Sequence, residues 1–211
     1  MDENRRNSSH ELFALLRKHN VGYAAGKRIY SLTKGMEAEM IDWLLKNPKA
    51  TVNEICAIAY SFAGATDPYS NEPGKQFALL TRFIPRLESM PSAGDWVFPK
   101  TGQAPYVRYE TLTFDVLDAV QEIIERNPRY VDVGDAYVDI LRANGLDWKD
   151  HIMREADVSN LDARCILALF VGICCAERFS DGTIGRFFHK GCILRWAKRL
   201  AELDAADGAT M

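Results

Sequence analysis

The chain has 211 residues, of which 47% are apolar and 26% are charged, and its formal net charge is −3. This composition is typical of a folded globular protein, and no apolar run reaches the roughly 18 residues that a transmembrane helix requires. The negative net charge also argues against a protein that binds nucleic acid through its overall charge alone.

The N-terminal segment and the cysteines both favour a cytoplasmic location. Residues 1–13 contain no apolar stretch ahead of a small-residue cleavage site, so we expect no secretory signal. The five cysteines are an odd number without a C-x-x-C pair, which favours free thiols over disulfides. Cys192 has cationic neighbours that would lower the pKa of its thiol, although a buried core position fits its helical pattern equally well.

Residues 1–74 are predicted to form an N-terminal helical region. Its first helix is capped by Ser9 and ends before Gly22, where turn-forming residues interrupt the apolar stripe. A second helix follows Gly35 and stops at Asn47, immediately before a proline. Both helices place leucines and other apolar residues on one face, as a buried helix requires.

A third helix of this region begins with a capping box, in which the Thr51 and Glu54 side chains satisfy each other's free amides. The helix–turn–helix order resembles the opening of winged-helix regulators. A recognition helix should follow within a few residues, but the loop at 64–75 intervenes. The next predicted helix, 75–88, carries Lys75, Gln76, Arg82 and Arg86 at near-helical spacing. They are either phosphate contacts or, as we favour, the solvated side of an amphipathic helix.

Residues 75–203 are predicted to form a second helical domain built around a β-hairpin. Two short aromatic runs, Trp96–Phe98 and Tyr106–Tyr109, flank a loop rich in turn-forming residues, which is typical of paired antiparallel strands. A hairpin of this size needs helices to cover it. The sequence therefore predicts a mainly α (α+β) fold with a helical bundle-like core and one hairpin near residues 96–109, followed by a flexible tail at 204–211.

Three helices are candidates to cover the hairpin. The first spans 114–127 and has an acidic outer side; the second spans 134–143 and ends at an Asn-Gly stop; the third is capped by Ser159 and contains the cysteine-rich run. The acidic outer side of the first helix comprises Asp115, Asp118, Glu122 and Glu125.

Several motifs of the second domain resemble a bacterial family of unknown function, number 6508. The shared features are the hairpin "GDWVFP…APYVRY", the "GLDW" element at 145–148 and the ending "AERFSDGTIGRFFHKGCILRWAKRL", in this order over roughly residues 77–203. The matching positions of the ending are Arg178, Phe179, Gly182, Phe187, Gly191, Ile193 and Leu200. Leu146 stands where the family has an aromatic residue. The resemblance implies a fold unit and transfers no activity.

Motifs that would indicate an enzyme are absent from the sequence. It contains no G-x-S-x-G, no P-loop and no H-E-x-x-H motif, and its histidines are too scattered for a metal site. Four carboxylates on the helix at 114–127 could hold a divalent cation, as could Asp132, Asp135 and Asp139, but such faces are usually solvated. His189, with Asp181 as the nearest carboxylate, is the remaining acid–base candidate. We identify no catalytic residue, favour a non-enzymatic protein over an enzyme of unknown class, and expect no cofactor.

A cationic strip from Arg178 to Leu200 is the most unusual feature of the sequence. Its apolar residues fit two helices, one from Thr183 to His189 and one from Cys192 to Leu203, separated by a break at Gly191. The basic side chains fall outside the predicted buried faces of these helices and together form one predicted surface. The candidate binding residues are Arg186, Lys190, Arg195, Lys198 and Arg199.

Three interpretations compete for this basic surface. Its side chains can complement helix dipoles and nearby carboxylates, they can neutralise the phosphates of a nucleic acid, or they can contact a protein partner with an acidic surface, including a second copy of the chain. We predict a non-enzymatic binding protein that engages an acidic protein surface or itself. The alternative is a nucleic-acid-binding regulator that uses the N-terminal helices and the basic C-terminal helix.

Overall fold

The computed structural model describes residues 3–69, 72–100 and 102–209, and it divides the chain into two compact units with the boundary between Pro68 and Tyr69. Both units are helical, and the second also contains a two-stranded antiparallel sheet. The predicted mainly α fold with one small hairpin is therefore confirmed. No helix within the described ranges combines the length and the apolar character that a membrane span needs.

The first unit is a small helical core in which α1 packs against α2 and α3, and α2 packs against α4. Leucine, isoleucine and methionine side chains from all four helices meet in its interior. Two details of the prediction are wrong: the first helix begins at Glu3, so that Ser9 lies inside it, and α2 was not expected. The helices are α1 (Glu3–Lys18), α2 (Tyr23–Leu32), α3 (Glu37–Lys46) and α4 (Val52–Phe62).

The start of α4 has the capping box that the sequence predicts. The Glu54 amide donates to the Thr51 hydroxyl at 3.3 Å, and the Thr51 amide donates to the Glu54 carboxylate at 2.7 Å. These hydrogen bonds lower the pKa of Glu54. The capping box fixes the point at which α4 begins, directly after the Pro48 turn that ends α3.

The second unit surrounds one long apolar helix, α10, with the other helices and the hairpin. Its helices are α5 (Ala78–Thr81), α6 (Ile84–Glu88), α7 (Thr111–Arg126), α8 (Val133–Ala143), α9 (Asp150–Glu155), α10 (Ala163–Glu177), α11 (Thr183–His189) and α12 (Cys192–Ala209). Strands β1 (Gly94–Val97) and β2 (Tyr106–Tyr109) pair in the register Trp96 with Val107.

Helix α10 is buried on most of its circumference because it packs against α7, α8, α9, α11 and α12. Its first turn is capped by Asp162, whose carboxylate accepts from the Cys165 amide at 2.7 Å, and the predicted Ser159 cap is wrong. Gly172 allows α9 to approach closely, since a Cβ atom there would lie 2.7 Å from the Met153 sulfur. The end of α9 and the start of α11 therefore both pack against α10.

The predicted single helix from Lys75 to Glu88 is replaced by the short helices α5 and α6, with a break at Arg82 and Phe83. Phe83 turns into the core at this break, and the Arg82 guanidinium lies 4.8 Å above its ring. Gln76, which was expected on the exposed face, is buried. The four residues considered as possible phosphate contacts thus share no continuous helix.

The end of α12 reaches back to the start of α5. The Asp204 carboxylate accepts from the amides of Gln76 and Phe77, each at 2.9 Å, although 128 and 127 residues separate these partners. Residues 204–209, whose composition predicts a flexible tail, continue α12 in the structure, and residues 210 and 211 lie outside the described ranges.

Candidate functional site

A cavity of about 280 Å³ opens between the β-hairpin, α9 and α11. We call it the hairpin cavity. One wall consists of Trp96, Val107 and small residues that leave space; the other carries the basic side chains of α9 and α11. The lining includes Ala93, Trp96, Gly182, Arg154, Arg186, His189 and Lys190.

Trp96 forms the apolar wall because it packs directly over Gly182. A Cβ atom at Gly182 would lie 2.8 Å from the indole carbon Cζ2 of Trp96, and Gly182 adopts a left-handed backbone with φ +83°. Both features favour glycine at this position. Trp96 nevertheless remains 50% exposed, and the neighbouring Phe98, which stacks on it with ring centroids 6.3 Å apart, is 72% exposed.

Glu177, the last residue of α10, holds the hairpin and α11 together. One oxygen of its carboxylate accepts from the Tyr109 hydroxyl at 2.7 Å and from the Gly182 amide at 2.9 Å. The other oxygen accepts from the Ile184 amide at 2.8 Å. The first turn of α11 is therefore capped by the Glu177 carboxylate, since the residue before the helix is Gly182, which has no capping side chain.

Burial and the hydrogen bond to Glu177 raise the pKa of the Tyr109 hydroxyl above its ordinary value. Desolvation is the larger cause, because the phenolate form would lose its water in this half-buried position. The hydroxyl therefore stays protonated near neutral pH and remains a hydrogen-bond donor to the carboxylate.

The cationic wall of the hairpin cavity is organised by one carboxylate. Asp150 lies 2.9 Å from the Arg154 guanidinium and 3.3 Å from that of Arg186. Arg186 also donates to the Thr183 hydroxyl at 2.8 Å. Lys190 makes no ion pair or side-chain hydrogen bond to the described residues. Three cations facing one carboxylate leave the wall with a formal surplus of two positive charges.

A smaller cavity of about 110 Å³ adjoins the hairpin cavity and shares Ser92, Ala93 and His189 with it. We call it the rim cavity. Its remaining lining comes from the end of α6, the following turn, α11 and α12: Leu87, Met90, Pro91, Phe188, Gly191 and Leu194. This lining combines hydrophobic side chains with polar atoms.

The predicted basic surface splits in the structure. Arg186 and Lys190 line the hairpin cavity, whereas Arg195, Lys198 and Arg199 line a separate recess of about 420 Å³ along α12. We call the latter the helix recess. The five residues therefore line two different recesses.

Each cation of the helix recess already has a partner within the chain. Lys198 lies 2.6 Å from the Glu88 carboxylate, Arg199 donates to the Leu161 carbonyl at 3.2 Å, and Arg195 donates to the Arg154 carbonyl at 2.9 Å. Arg199 also pairs with Glu202, which lines the same recess. Three carboxylates, Glu88, Asp157 and Glu202, balance the three cations of the helix recess, so the formal positive surplus lies at the hairpin cavity.

The acidic candidates do not assemble into a cation site in the part of the chain that the structure describes, which contains no cluster of three metal-ligating side chains. Glu122, which was expected on the outer side of α7, is buried, and this expectation is wrong. Burial is tolerated because the Arg126 guanidinium lies 3.0 Å from its carboxylate and stacks 4.0 Å above the Tyr69 ring. Asp132 instead pairs with Arg164.

Burial outweighs the cationic partner of Cys192, and His189 gains no carboxylate partner among the described residues. Burial raises the pKa of the Cys192 thiol, and the nearby Arg195 guanidinium opposes this effect only in part. No hydrogen bond or ion pair joins His189 to Asp181 within the described ranges. The structure describes all five cysteines as free.

Two residues of the site, Arg154 and Trp96, were not predicted as binding residues. Arg154 lies on α9, 32 positions before Arg186 in the sequence, and its role depends on the shared contact with Asp150. The sequence assigns Trp96 to a strand. The alternation of side chains along a two-stranded hairpin does not tell which of its two faces is exposed, so the exposure of Trp96 was not foreseeable. An aromatic residue opposite a glycine-containing turn is the one signal that could have suggested it.

The comparisons with known proteins concern the same unit. The model of a family of unknown function, DUF6508, matches residues 73–205, which cover all elements of the candidate site. No curated protein and no solved structure matches the chain. The bacterial source implied by the resemblance stays a prediction. Because the match covers more than half of its residues, the chain belongs to the DUF6508 family of unknown function.

Proposed function

We propose that the protein is a non-enzymatic binding module whose second unit engages an acidic surface of a partner protein at the hairpin cavity. The observation that carries this proposal is the combination of surplus positive charge on Arg154, Arg186 and Lys190 with the exposed aromatic wall of Trp96. Complementary charge steers association and specifies partners, and exposed aromatic side chains supply most of the contact energy at interfaces.

The exposed aromatic residues of the hairpin support a protein partner. Trp96 and Tyr106 lie in the two short strands and Phe98 directly follows β1, and each of the three is roughly half exposed or more. Large apolar side chains that remain exposed together typically mark an interaction site. A cytoplasmic location is part of the proposal and is supported by the five free thiols.

The prediction is tested with a fluorescein-labelled peptide of alternating glutamate and leucine, whose anisotropy is measured with the full-length protein at about 50 mM and about 200 mM salt. We expect binding that weakens with salt. Lys190→Glu should weaken it about tenfold or more, because it places a negative charge beside the incoming carboxylates. Arg142→Glu is the matched control, since Arg142 lines none of the cavities described above and has only the long 3.8 Å pair with Asp139.

Two outcomes would overturn the proposal. The first is an absence of binding at low salt. The second is tighter binding of random-sequence duplex DNA or RNA that is lost in Lys190→Glu, which would favour the nucleic-acid regulator instead. Size-exclusion chromatography with light scattering across protein concentrations identifies the case in which the acidic partner is a second copy of the chain.

A further inference from the structure

The β-hairpin is a sheet of two strands, so each strand has one edge without a neighbouring strand in the described part of the chain. Along an antiparallel pair, residues that exchange backbone hydrogen bonds alternate with residues whose backbone groups point outward. The Glu110 amide donates to the Ala93 carbonyl at 2.8 Å, and the register from this bond makes Trp96 and Val107 an outward-pointing pair. The amide and carbonyl of Trp96 therefore point to the open edge of β1, and those of Val107 to the open edge of β2.

The edge of β1 is occupied at its start and open at Trp96. The Ser92 hydroxyl donates to the Gly94 carbonyl at 2.8 Å and accepts from the Gly94 amide at 3.2 Å, so the outward groups of Gly94 are already bonded. Among residues 3–69, 72–100 and 102–209, none binds the backbone amide or carbonyl of Trp96. Pro99, which has no amide, limits the edge on the other side. Unpaired backbone groups at a sheet edge are a template for another strand.

The hairpin cavity lies along this edge of β1. Ser92, Ala93, Gly94 and Trp96 line it, whereas Val107 is its lining residue from β2. In a strand added to β1, every second side chain would share the face of Trp96 and border the cavity. The backbone of such a strand and its side chains would thus be bound at the same place.

We infer that an extended segment of the acidic partner adds to β1 as a third strand and pairs with the backbone of Trp96. This inference rests on the proposed function and specifies how the partner is bound. Charge complementarity selects an acidic segment, because Arg154, Arg186 and Lys190 line the cavity beside the added strand, and Asp150 is the one carboxylate paired with the two arginines. Main-chain hydrogen bonds supply affinity in this binding mode, and alternate side chains supply specificity.

Backbone pairing is tested with three forms of the alternating glutamate–leucine peptide: unmodified, N-methylated at every glutamate, and N-methylated at every leucine. Amides of alternate residues point to opposite edges of a strand, so one methylated form loses the donors that face β1 and the other loses donors that face solvent. We expect one methylated form to bind the full-length protein about tenfold more weakly than the unmodified peptide, and the other to bind equally well. Fluorescence anisotropy at low salt measures all three.

Amide exchange identifies the edge that the peptide occupies. It is measured by NMR in the isotopically labelled full-length protein, with and without the unmodified peptide. The backbone amide of Trp96 should exchange at least about tenfold more slowly in the complex, because it gains an acceptor. The Val107 amide is the matched control, since it points outward from the opposite edge of the same sheet and should exchange at an unchanged rate.

The possible results separate the inference from the proposed function. If all three peptides bind equally and exchange at Trp96 is unchanged, the inference is wrong, although the acidic-partner function survives. Slower exchange at Val107 but not at Trp96 would place the added strand on β2 and would also overturn the inference. Protection of Trp96 that appears without peptide and rises with protein concentration would assign the edge to a second copy of the chain, again against the inference. If the unmodified peptide does not bind, the proposed function itself fails.

Discussion

The two halves of the cationic strip look alike in sequence and differ in the structure. The half at Arg195, Lys198 and Arg199 lies on α12, and each of its cations is bound by a carboxylate or a backbone carbonyl of the same chain. The half at Arg186 and Lys190 faces a cavity in which cations outnumber carboxylates.

The difference shows that a run of basic residues does not by itself define a binding surface. Lys198 and Lys190 both follow a buried aliphatic or aromatic stripe, and both are exposed. Glu88, more than a hundred positions away in the sequence, neutralises Lys198. No described carboxylate does the same for Lys190. Exposed pairs contribute little to stability, but they do cancel local charge.

The largest expected effect comes from removing the Glu177 carboxylate, which holds the hairpin and α11 together beside Arg186 and Lys190. In Glu177→Ala, the hydroxyl of Tyr109 and the amides of Gly182 and Ile184 lose their common acceptor. We expect the free energy of unfolding to fall by about 3 kcal/mol, because hydrogen bonds to a charged group are strong and their donors are partly buried. Chemical denaturation measures this loss.

The Glu177→Ala variant should also lose peptide binding at the hairpin cavity, since the hairpin is no longer tied to α11. The exposed Glu155, on α9, provides the control, and Glu155→Ala should change stability by less than about 0.5 kcal/mol. Equal stability losses in the two variants would show that Glu177 does not hold the hairpin and α11 together.

The next largest effect tests the packing of Trp96 over Gly182 without changing a charged residue. Gly182→Ala forces a side chain into a left-handed backbone and against the indole of Trp96. We expect a loss of about 2 kcal/mol in the free energy of unfolding, of which 1–2 kcal/mol is the usual backbone cost. Gly134→Ala is the control, because a Cβ atom there would meet nothing within 4 Å. An unchanged stability of Gly182→Ala would contradict the packing of Trp96.

A smaller effect depends on pH. The raised pKa of Tyr109 means that its contribution is fully present below the ordinary value of 10.0 and is lost as the pH rises through the higher folded value. Tyr109→Phe should therefore be about 1 kcal/mol less stable than the unaltered protein at neutral pH. This difference should shrink above pH 10, as measured by denaturation across pH. Tyr106→Phe is the control for the loss of a phenol hydroxyl, because Tyr106 is 47% exposed.

The sequence predicted those features whose causes are local. The apolar stripe of α11, the break at Gly191 and the capping box of Thr51 all depend on residues close to one another in the chain. Apolar spacing and capping chemistry are readable at that range. The hairpin was also predicted, because alternating aromatic residues flank a loop of turn formers.

The rest depends on contacts between distant residues. Glu177 caps α11 while binding Tyr109, 68 positions away, and Asp150 orders Arg186 across 36 positions. No periodic pattern links such pairs. Glu122 was misplaced for a related reason: an acidic residue at regular spacing indicates an exposed face unless a buried partner such as Arg126 accompanies it, as here.

The smallest expected effect compares Lys198 directly with Lys190. Lys198 and Glu88 form a half-exposed pair with 2.6 Å between nitrogen and oxygen, so a double-mutant cycle through Lys198→Ala and Glu88→Ala should give a coupling of about 0.5 kcal/mol. Lys190→Ala should leave the free energy of unfolding unchanged, because no described residue pairs with Lys190. A comparable loss in Lys190→Ala would mean that this lysine is also neutralised within the chain. The surplus charge at the hairpin cavity, and with it the difference between the two halves of the strip, would then disappear.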